Sequence, residues 1–518
     1  MSTTVEEPAV DPTPTPPGTA PTRTAHRTAA VLALARAEAR ELVMTIPVLF
    51  FFLLQAGLLV WKCWDEEGMD AFPVLNTVDR GTQTAPLLAC IALLLSVNVA
   101  VLRDRRNGTA HQFGVLPMEP WRRTLAHLLS VVPFVLLTAL LVGVDYGWSA
   151  LEPGAVGHGS LGELAVGPLL VLLAGVAGVL LARLLPSTFV PILFAVAAYL
   201  LIVIVLTSDS APEGVRRLVP VLDAGSGGGD PVPSDLLGRP ASWHALYLAG
   251  LCALLACAAL LVAGGRTRTV KAVTAVALAA TAAGVVGQLP RDTAALEAAR
   301  RTASTTPERV QSCTTHGGAT YCAFPEWNGV RGEWAKVVDR VRSAAGAPAS
   351  GLHLTVRQRI DLTGGLEVDS TLSPSTRPGE VTVGTRWGGN RVGELAVGVA
   401  AVLVAGTEAR ADALCDGRMV TVMWLALSGD AHPLATFRDL RLDDDVTGSG
   451  VVLAPTDPLS LTAQQTEVLR ALLDRPRAEV TARVKAHWRD LTSPRTTTAR
   501  TARLLGVPVP KGKETCEV

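Results

Sequence analysis

Seven long apolar stretches constrain the fold of this chain more than any other feature of its sequence. A helix needs roughly 20 mostly apolar residues to cross the hydrocarbon core of a bilayer. The stretches lie at 45–61, 85–102, 125–144, 166–185, 189–206, 246–265 and 272–289. Charged residues make up only 18% of the chain, against about 25% in soluble domains. The sequence therefore predicts an α-helical integral membrane bundle of about seven transmembrane helices over residues 44–289.

The seventh stretch, 272–289, differs from the others because it consists mostly of alanine, which gains little from lipid. Its small side chains would let the helix pack closely against its neighbours, as membrane helices do. A buried helix, or a helix lying on the membrane surface, remains an alternative to a spanning one.

The basic residues of the connecting loops predict which side of the membrane each loop occupies. Lys and Arg are concentrated in cytoplasmic loops. If residues 1–44 are cytoplasmic, the loops on that side carry most of the basic residues, and 103–124 alone contains five arginines. The opposite loops contain only Lys62, Arg80, Arg216, Arg217 and Arg239. The sequence thus predicts a multi-pass cell-membrane protein with a cytoplasmic N-terminus. Because the number of spans is odd, it also predicts that residues 290–518 are extracytoplasmic.

The residues before the first apolar stretch fall into two segments. Residues 1–25 are rich in Pro and Thr with almost no large apolar side chains, so we expect a disordered cytoplasmic tail. They lack the basic cluster followed by a short apolar run that marks a secretory signal. Residues 26–43 have an amphipathic pattern that predicts a helix lying in the membrane interface.

The loop at 103–123 combines a short basic run, Asn-Gly-Thr and a segment that ends in VLPMEPWRR. Together with the amphipathic helix before the first span, it resembles the corresponding parts of bacterial ABC-2 type transporter permeases, over about residues 25–290. The resemblance implies a permease-like subunit that works with a separate cytosolic ATPase and forms a homodimer. It also implies that the loop contacts the ATPase, through Arg105, Arg106, Met118 and Trp121.

Two features depart from the family pattern, namely the seventh span with its added C-terminal domain and the tight turn at 185–187 between the fourth and fifth spans. A loop that only fixes topology is the alternative interpretation of 103–123. The alternative function is a membrane-anchored extracytoplasmic binding or sensing domain without transport activity.

Residues 290–518 predict an extracytoplasmic α+β domain. We expect 290–304 to prolong the seventh helix as a charged stalk, and 353–362 and 379–387 to form strands because apolar and polar residues alternate there. Helical patterns follow at 392–406, 419–429, 461–474 and 476–491. The apolar helix at 392–406 is too short to span a bilayer and suits a buried core helix.

The cysteines of this half predict disulfide bonds, which an extracytoplasmic location permits. Cys313 and Cys322 flank a Gly-Gly turn, which suits a short hairpin closed by a disulfide bond. Cys415 and Cys516 remain as a second possible pair. The aromatic residues of 321–334 would pack in the core beneath the hairpin or form a binding face.

No motif indicates an enzyme, a metal site or a cofactor site. The nearest approach to a phosphate-binding loop, GVPVPKGKE at 506–514, has the wrong spacing and Glu514 in place of Ser or Thr. His316 has no partner at a zinc-ligand spacing, and the acidic run at 443–445 is typical of a solvated loop. The formal net charge of zero gives no indication of a nucleic-acid partner. Ionisable groups are nearly absent from the apolar stretches, which argues against an ion channel or a proton-coupled transporter.

Overall fold

The computed structural model describes residues 23–64, 72–108, 118–208, 213–221, 231–289, 293–363, 372–442 and 446–511. The predicted tail up to residue 22, the acidic run at 443–445 and Cys516 lie outside these ranges.

Helices make up the N-terminal half. In chain order they are α1 (Arg23–Val43), α2 (Ile46–Trp64), α3 (Leu75–Gly81), α4 (Leu87–Arg106), α5 (Pro120–Leu129), α6 (Val132–Leu151), α7 (Leu161–Leu184), α8 (Val190–Thr207), α9 (Glu213–Arg216), α10 (Ser234–Leu237), α11 (Ala241–Val262) and α12 (Arg268–Gln288).

Within the described ranges, seven helical segments are long and apolar enough to cross a membrane, a number that agrees with the seven spans predicted from the sequence. They are α2, α4, the consecutive helices α5 and α6, α7, α8, α11 and α12. The alanine-rich seventh stretch belongs to α12. This arrangement agrees with a membrane-embedded protein.

The third apolar segment is longer than the sequence predicted, because it runs over Pro120–Leu151 rather than 125–144. Pro120 occupies the first turn of α5, where its missing N–H leaves no hydrogen bond unmade. Pro133 plays the same role at the start of α6, directly after the turn at Ser130 and Val131. The first turns of α5 contain polar residues, so the apolar stretch in the sequence begins several residues after the helix does.

Close helix contacts in the bundle occur at glycines of α7. A Cβ atom on Gly178 would lie 2.7 Å from the carbonyl oxygen of Leu94 in α4, and one on Gly162 would lie 2.6 Å from the backbone of Ala241 in α11. Small residues allow such backbone approach, which drives helix association in membranes. Helices α4, α7 and α11 therefore form the packed centre. Helix α12 packs against α11 with only 17% of its apolar window buried, and α2 and α8 lie outside the centre with large apolar side chains exposed.

The C-terminal half is an α+β domain. Its helices are α13 (Thr293–Thr305), α14 (Arg331–Ala344), α15 (Ala347–Ser350), α16 (Asn390–Ala405), α17 (Glu408–Asp412), α18 (Arg418–Leu427), α19 (Pro433–Asp439), α20 (Ala463–Leu473), α21 (Arg477–Ala486), α22 (Trp488–Leu491) and α23 (Thr498–Leu505). Its strands are β1 (Ser312–His316), β2 (Ala319–Ala323), β3 (Leu354–Gln358), β4 (Glu380–Val383), β5 (Gly450–Val452) and β6 (Leu459–Leu461).

The main sheet has the strand order β1-β2-β3-β4. The β1–β2 pair is the antiparallel hairpin that the sequence predicted, with Cys313 opposite Cys322, whereas β2–β3 and β3–β4 are parallel. Strands β3 and β4 are shorter than predicted, and the antiparallel pair β5–β6 was not predicted. The predicted helix at 476–491 is divided into α21 and α22 at His487.

The core of this domain lies between the sheet and helices α14 and α16, and helix α18 packs on α16. Trp327 and Trp334 are fully buried, so of the two alternatives for the aromatic residues at 321–334 the structure shows core packing. Helix α16 is buried along most of its length, as predicted from its composition.

The C-terminal domain shares its apolar core with loops of the helical bundle. Val74, Val156 and Leu237 belong to the same buried cluster as Trp327. The Arg300 side chain in α13 also donates hydrogen bonds to the carbonyl oxygens of Leu236 and Leu237, at 2.9 and 3.0 Å. Helix α13 is thus separate from α12, which ends at Gln288, and it rests on the bundle instead of prolonging α12 as a stalk.

The close contact at Gly178 leads to a stability prediction. We expect Gly178→Ala to lower the melting temperature of the purified protein by several degrees, because the Leu94 carbonyl oxygen belongs to the backbone and must move with α4. Gly143→Ala is the matched control, since no atom lies within 4 Å of its Cβ position. Unchanged or raised stability in Gly178→Ala would contradict the packing of α4 against α7.

Candidate functional site

Arginine side chains from several helices come together at one end of the bundle. We name this surface the basic end, and it comprises residues 103–106, 118–123, 183 and 265–268. Arg105 and Arg123 lie close enough to Arg183, in the last turn of α7, for their positive charges to repel its guanidinium. Trp121 packs closely on the α11–α12 turn, where a Cβ atom added to Gly265 would lie 3.0 Å from the Cβ atom of Trp121. The C-terminal domain lies at the opposite end, against the loops that precede α3, α7 and α11.

Ion pairs attach helix α1 to the basic end. The Arg103 guanidinium contacts the Glu38 carboxylate at 3.3 Å and also pairs with Glu41. His127 of α5 lies 3.8 Å from the same Glu38 carboxylate. Burial raises the pKa of Glu38, and the charge of Arg103 opposes that shift. Helix α1 therefore connects the last turns of α4 to α5.

The four residues predicted to contact an ATPase differ in exposure. Arg105 and Arg106 are exposed at the last turn of α4, whereas Met118 and Trp121 are half-buried. The Trp121 indole donates a hydrogen bond to Glu119 at 2.6 Å, and the Arg122 guanidinium lies 5.0 Å from the centre of the indole ring. Trp121 thus serves the packing of the bundle itself, and Arg105 and Arg106 are the more accessible of the four. Residues 109–117, between these two groups, lie outside the described ranges.

A buried pair of carboxyl groups lies at the other end of the bundle, beneath the C-terminal domain. Asp79 in α3 and Glu163 in the first turn of α7 are 2% and 4% exposed. Glu163 accepts a hydrogen bond from Gln83, and its other oxygen lies 3.7 Å from the Arg239 guanidinium. Asp79 accepts a hydrogen bond from the backbone N–H of Ser160 at 2.7 Å.

The hydrogen bonds at the start of α7 differ from those of a standard capping box. Ser160 is the N-cap of α7 and Glu163 stands three residues later, which is the sequence pattern of a capping box. In that motif the glutamate accepts from the N-cap amide. Here Asp79 of α3 takes that place, and Glu163 bonds to Gln83 instead. The start of α7 is thereby tied to α3.

Burial raises the pKa of Asp79 from 3.8 to about 7, and the negative charge of Glu163 adds to the shift, against the Ser160 hydrogen bond and the charge of Arg80. The pair was not predicted from the sequence. The Ser-x-x-Glu pattern at 160–163 is a signal for a helix that begins after Ser160. It could have shown that Glu163 belongs to α7. Its approach to Asp79 had no signal in the sequence.

The cysteines behave as the sequence predicted wherever the structure describes them. Cys313 and Cys322 form a disulfide bond, with Cα atoms 4.1 Å apart. Cys415 is also disulfide-bonded, while Cys516 lies outside the described ranges. In the part of the chain that the structure describes, no three His, Cys, Asp or Glu side chains are grouped so as to hold a metal ion.

Comparison of the chain with protein-family models, with curated proteins and with solved structures found no match.

The raised pKa of Asp79 predicts how stability depends on pH. The native state holds the Asp79 proton more tightly than the unfolded chain does, so stability falls as pH rises from about 3.8 to about 7. We expect Asp79→Asn, which cannot ionise, to raise the melting temperature by several degrees at pH 8 and by less at pH 5. The exposed Asp439→Asn should change neither value. An Asp79→Asn effect that is equal at both pH values would rule out an ionisation of Asp79 in this range.

Proposed function

We propose that the protein is a permease-like membrane subunit of an export system of the ABC-2 type and works with a separate cytosolic ATPase. One observation carries the proposal, namely that the basic end forms a connected surface at the end of the bundle opposite the C-terminal domain. Arg105 and Arg106 are exposed on it, and charged groups at a rim steer an encounter with an acidic partner. By the same family resemblance the subunit would form a homodimer.

Contacts within the basic end offer a route by which a docked partner could move the bundle. Displacement of the last turn of α4 would act on α1 through the ion pairs of Arg103 with Glu38 and Glu41. Displacement of α5 would act on the α11–α12 turn through Trp121 and Gly265. Both routes begin within the segment 103–123.

The proposal includes a membrane orientation. The basic end would face the cytoplasm because Lys and Arg concentrate on that side, and the C-terminal domain would lie outside the cytoplasm. The disulfide bond between Cys313 and Cys322 supports this orientation, since such bonds persist in oxidising compartments.

A second candidate function is a bundle that only anchors the C-terminal domain as a binding or sensing module. The shared apolar core favours it, because Val74, Val156 and Leu237 of the bundle loops are buried with Trp327 of the domain. The two candidates differ in whether a nucleotide-hydrolysing chain binds the basic end.

Co-purification tests the ATPase partner. We expect the tagged protein, extracted from native membranes in mild detergent, to retain a chain that hydrolyses ATP. Arg105→Ala/Arg106→Ala should reduce the amount retained by about tenfold, because it removes two exposed cations from the contact. Arg266→Ala/Arg268→Ala is the matched control, since these exposed arginines share the basic end but lie outside 103–123.

Equal loss in the two double variants would contradict a contact through the 103–123 segment. Absence of any such chain from wild-type preparations that remain monodisperse would favour the anchoring function.

Thiol labelling in intact cells tests the orientation. Lys336→Cys places a thiol at an exposed position of the C-terminal domain, and Asn107→Cys places one at the basic end. We expect a membrane-impermeant maleimide to label Lys336→Cys in intact cells and Asn107→Cys only after permeabilisation, with wild type giving the background. The reverse pattern, or labelling of both variants in intact cells, would overturn the orientation.

A further inference from the structure

A polar cavity of about 210 Å³ opens on the C-terminal domain, away from both the basic end and the buried carboxyl pair. Its wall contains three arginines and two glutamates. These residues are Arg357, Arg359, Arg377, Glu308 and Glu380.

Strand alternation directs these side chains to one face of the sheet. Leu354 and Val356 of β3 point into the core, so Arg357 and the following Arg359 point the other way. In β4, Val381 and Val383 belong to the core, so Glu380 and Thr382 share the face of the arginines. This outward face is covered by residues 372–377 and α17, which leaves the cavity beside it.

The carboxylates of this region are already hydrogen-bonded within the wall. Glu380 accepts from the Ser375 hydroxyl at 2.7 Å and from Arg357 Nε at 3.0 Å. Glu408 lies behind the wall and accepts from the Ser375 N–H and the Thr382 hydroxyl, each at 2.8 Å. The buried negative charges therefore need no further partner from the cavity.

The arginines retain donors that the wall does not use. A guanidinium has five N–H donors. Arg357 uses Nε and Nη1, the latter toward Gln311 at 3.2 Å. Arg359 uses Nη1, toward the Ser373 carbonyl at 2.8 Å and Thr382 at 3.0 Å. Among the described residues, the Nη2 atoms of Arg357 and Arg359 have no hydrogen-bond acceptor.

The charge of the wall favours an anion. Three arginines against two glutamates leave the lining residues with one net positive charge. Arg377 stands at the mouth with 58% of its side chain exposed, 3.5 Å from Glu308 and 3.6 Å from Glu380, so its exposed donors can turn toward an incoming ligand. Guanidinium groups bind carboxylate and phosphate oxygens with paired, charge-assisted hydrogen bonds.

We propose that this cavity is a binding site for a small oxyanion, a molecule whose carboxylate or phosphate group is held by Arg357, Arg359 and Arg377. The volume of 210 Å³ lies below that of pockets for drug-sized ligands, so the ligand is the size of a metabolite fragment or smaller. The site is independent of an ATPase partner and extends beyond the proposed export function.

The cavity also touches the helix that joins the domain to the bundle. Ser304 and Thr305, at the last turn of α13, line it, and Arg300 of the same helix is bonded to the bundle loop at Leu236. An occupied site would therefore lie directly against the connection between the two halves.

Thermal unfolding of the full-length protein in detergent tests the site, with inorganic phosphate and succinate as probes and sodium chloride at equal ionic strength as the reference. We expect at least one probe to raise the melting temperature in a saturable manner beyond the effect of chloride. Arg377→Gln should weaken the apparent affinity by about tenfold. It should change the melting temperature without probe only slightly, because the ion pairs of this mostly exposed side chain with Glu308 and Glu380 contribute little to stability. Arg359→Lys, which keeps the charge but loses the planar donor pair, should weaken it as well.

Arg503→Gln is the matched control, since this exposed arginine of α23 lies outside the cavity. Absence of a saturable shift with both probes would overturn the proposal. It would also be overturned if Arg377→Gln responded to the probe like wild type, as the control Arg503→Gln is expected to do.

Discussion

The distribution of charge along the helices is the constraint on which the rest of the structure depends. A guanidinium group is costly to place in hydrocarbon, so the arginines of this chain collect at the last turns of α4 and α7 and in the α11–α12 turn. Once these ends share one side, the alternating directions of the helices place the starts of α7 and α11 on the other side. The C-terminal domain follows α12 and therefore packs at the end remote from the arginines.

Much of the helical architecture can be predicted from the sequence because a spanning helix needs a long run of apolar residues, which is visible in the composition. The apolar stretches identify each spanning helix, and errors occur where a helix begins with polar residues, as at Pro120 in α5. The break between α5 and α6 and the separation of α13 from α12 depend on local turns and on tertiary contacts such as those of Arg300. These contacts join residues far apart in the chain, which local patterns do not encode.

The candidate sites show the same division. The hairpin with Cys313 and Cys322 is encoded within ten consecutive residues and was predicted. The pair of Asp79 with Glu163 and the cavity of Arg357 and Arg377 combine distant segments, so no spacing rule could find them. Glu163 precedes the predicted apolar stretch at 166–185 but lies inside α7 as the helix is observed, where it is buried, so the apolar stretches alone did not indicate this group.

The unequal packing of the helices indicates which part of the bundle can move. Only 11% of the residues in the apolar windows of α2 and α8 are buried, against 61% in that of α4. Elements with few buried contacts are the least costly to displace. The C-terminal domain, in contrast, shares its buried core with the loops beside α3 and α10. Helix α2 follows α1 after two residues, and α1 is held to the basic end by Arg103. The most weakly packed long apolar helix at the N-terminal side is therefore attached directly to the surface at which the proposed ATPase partner would bind.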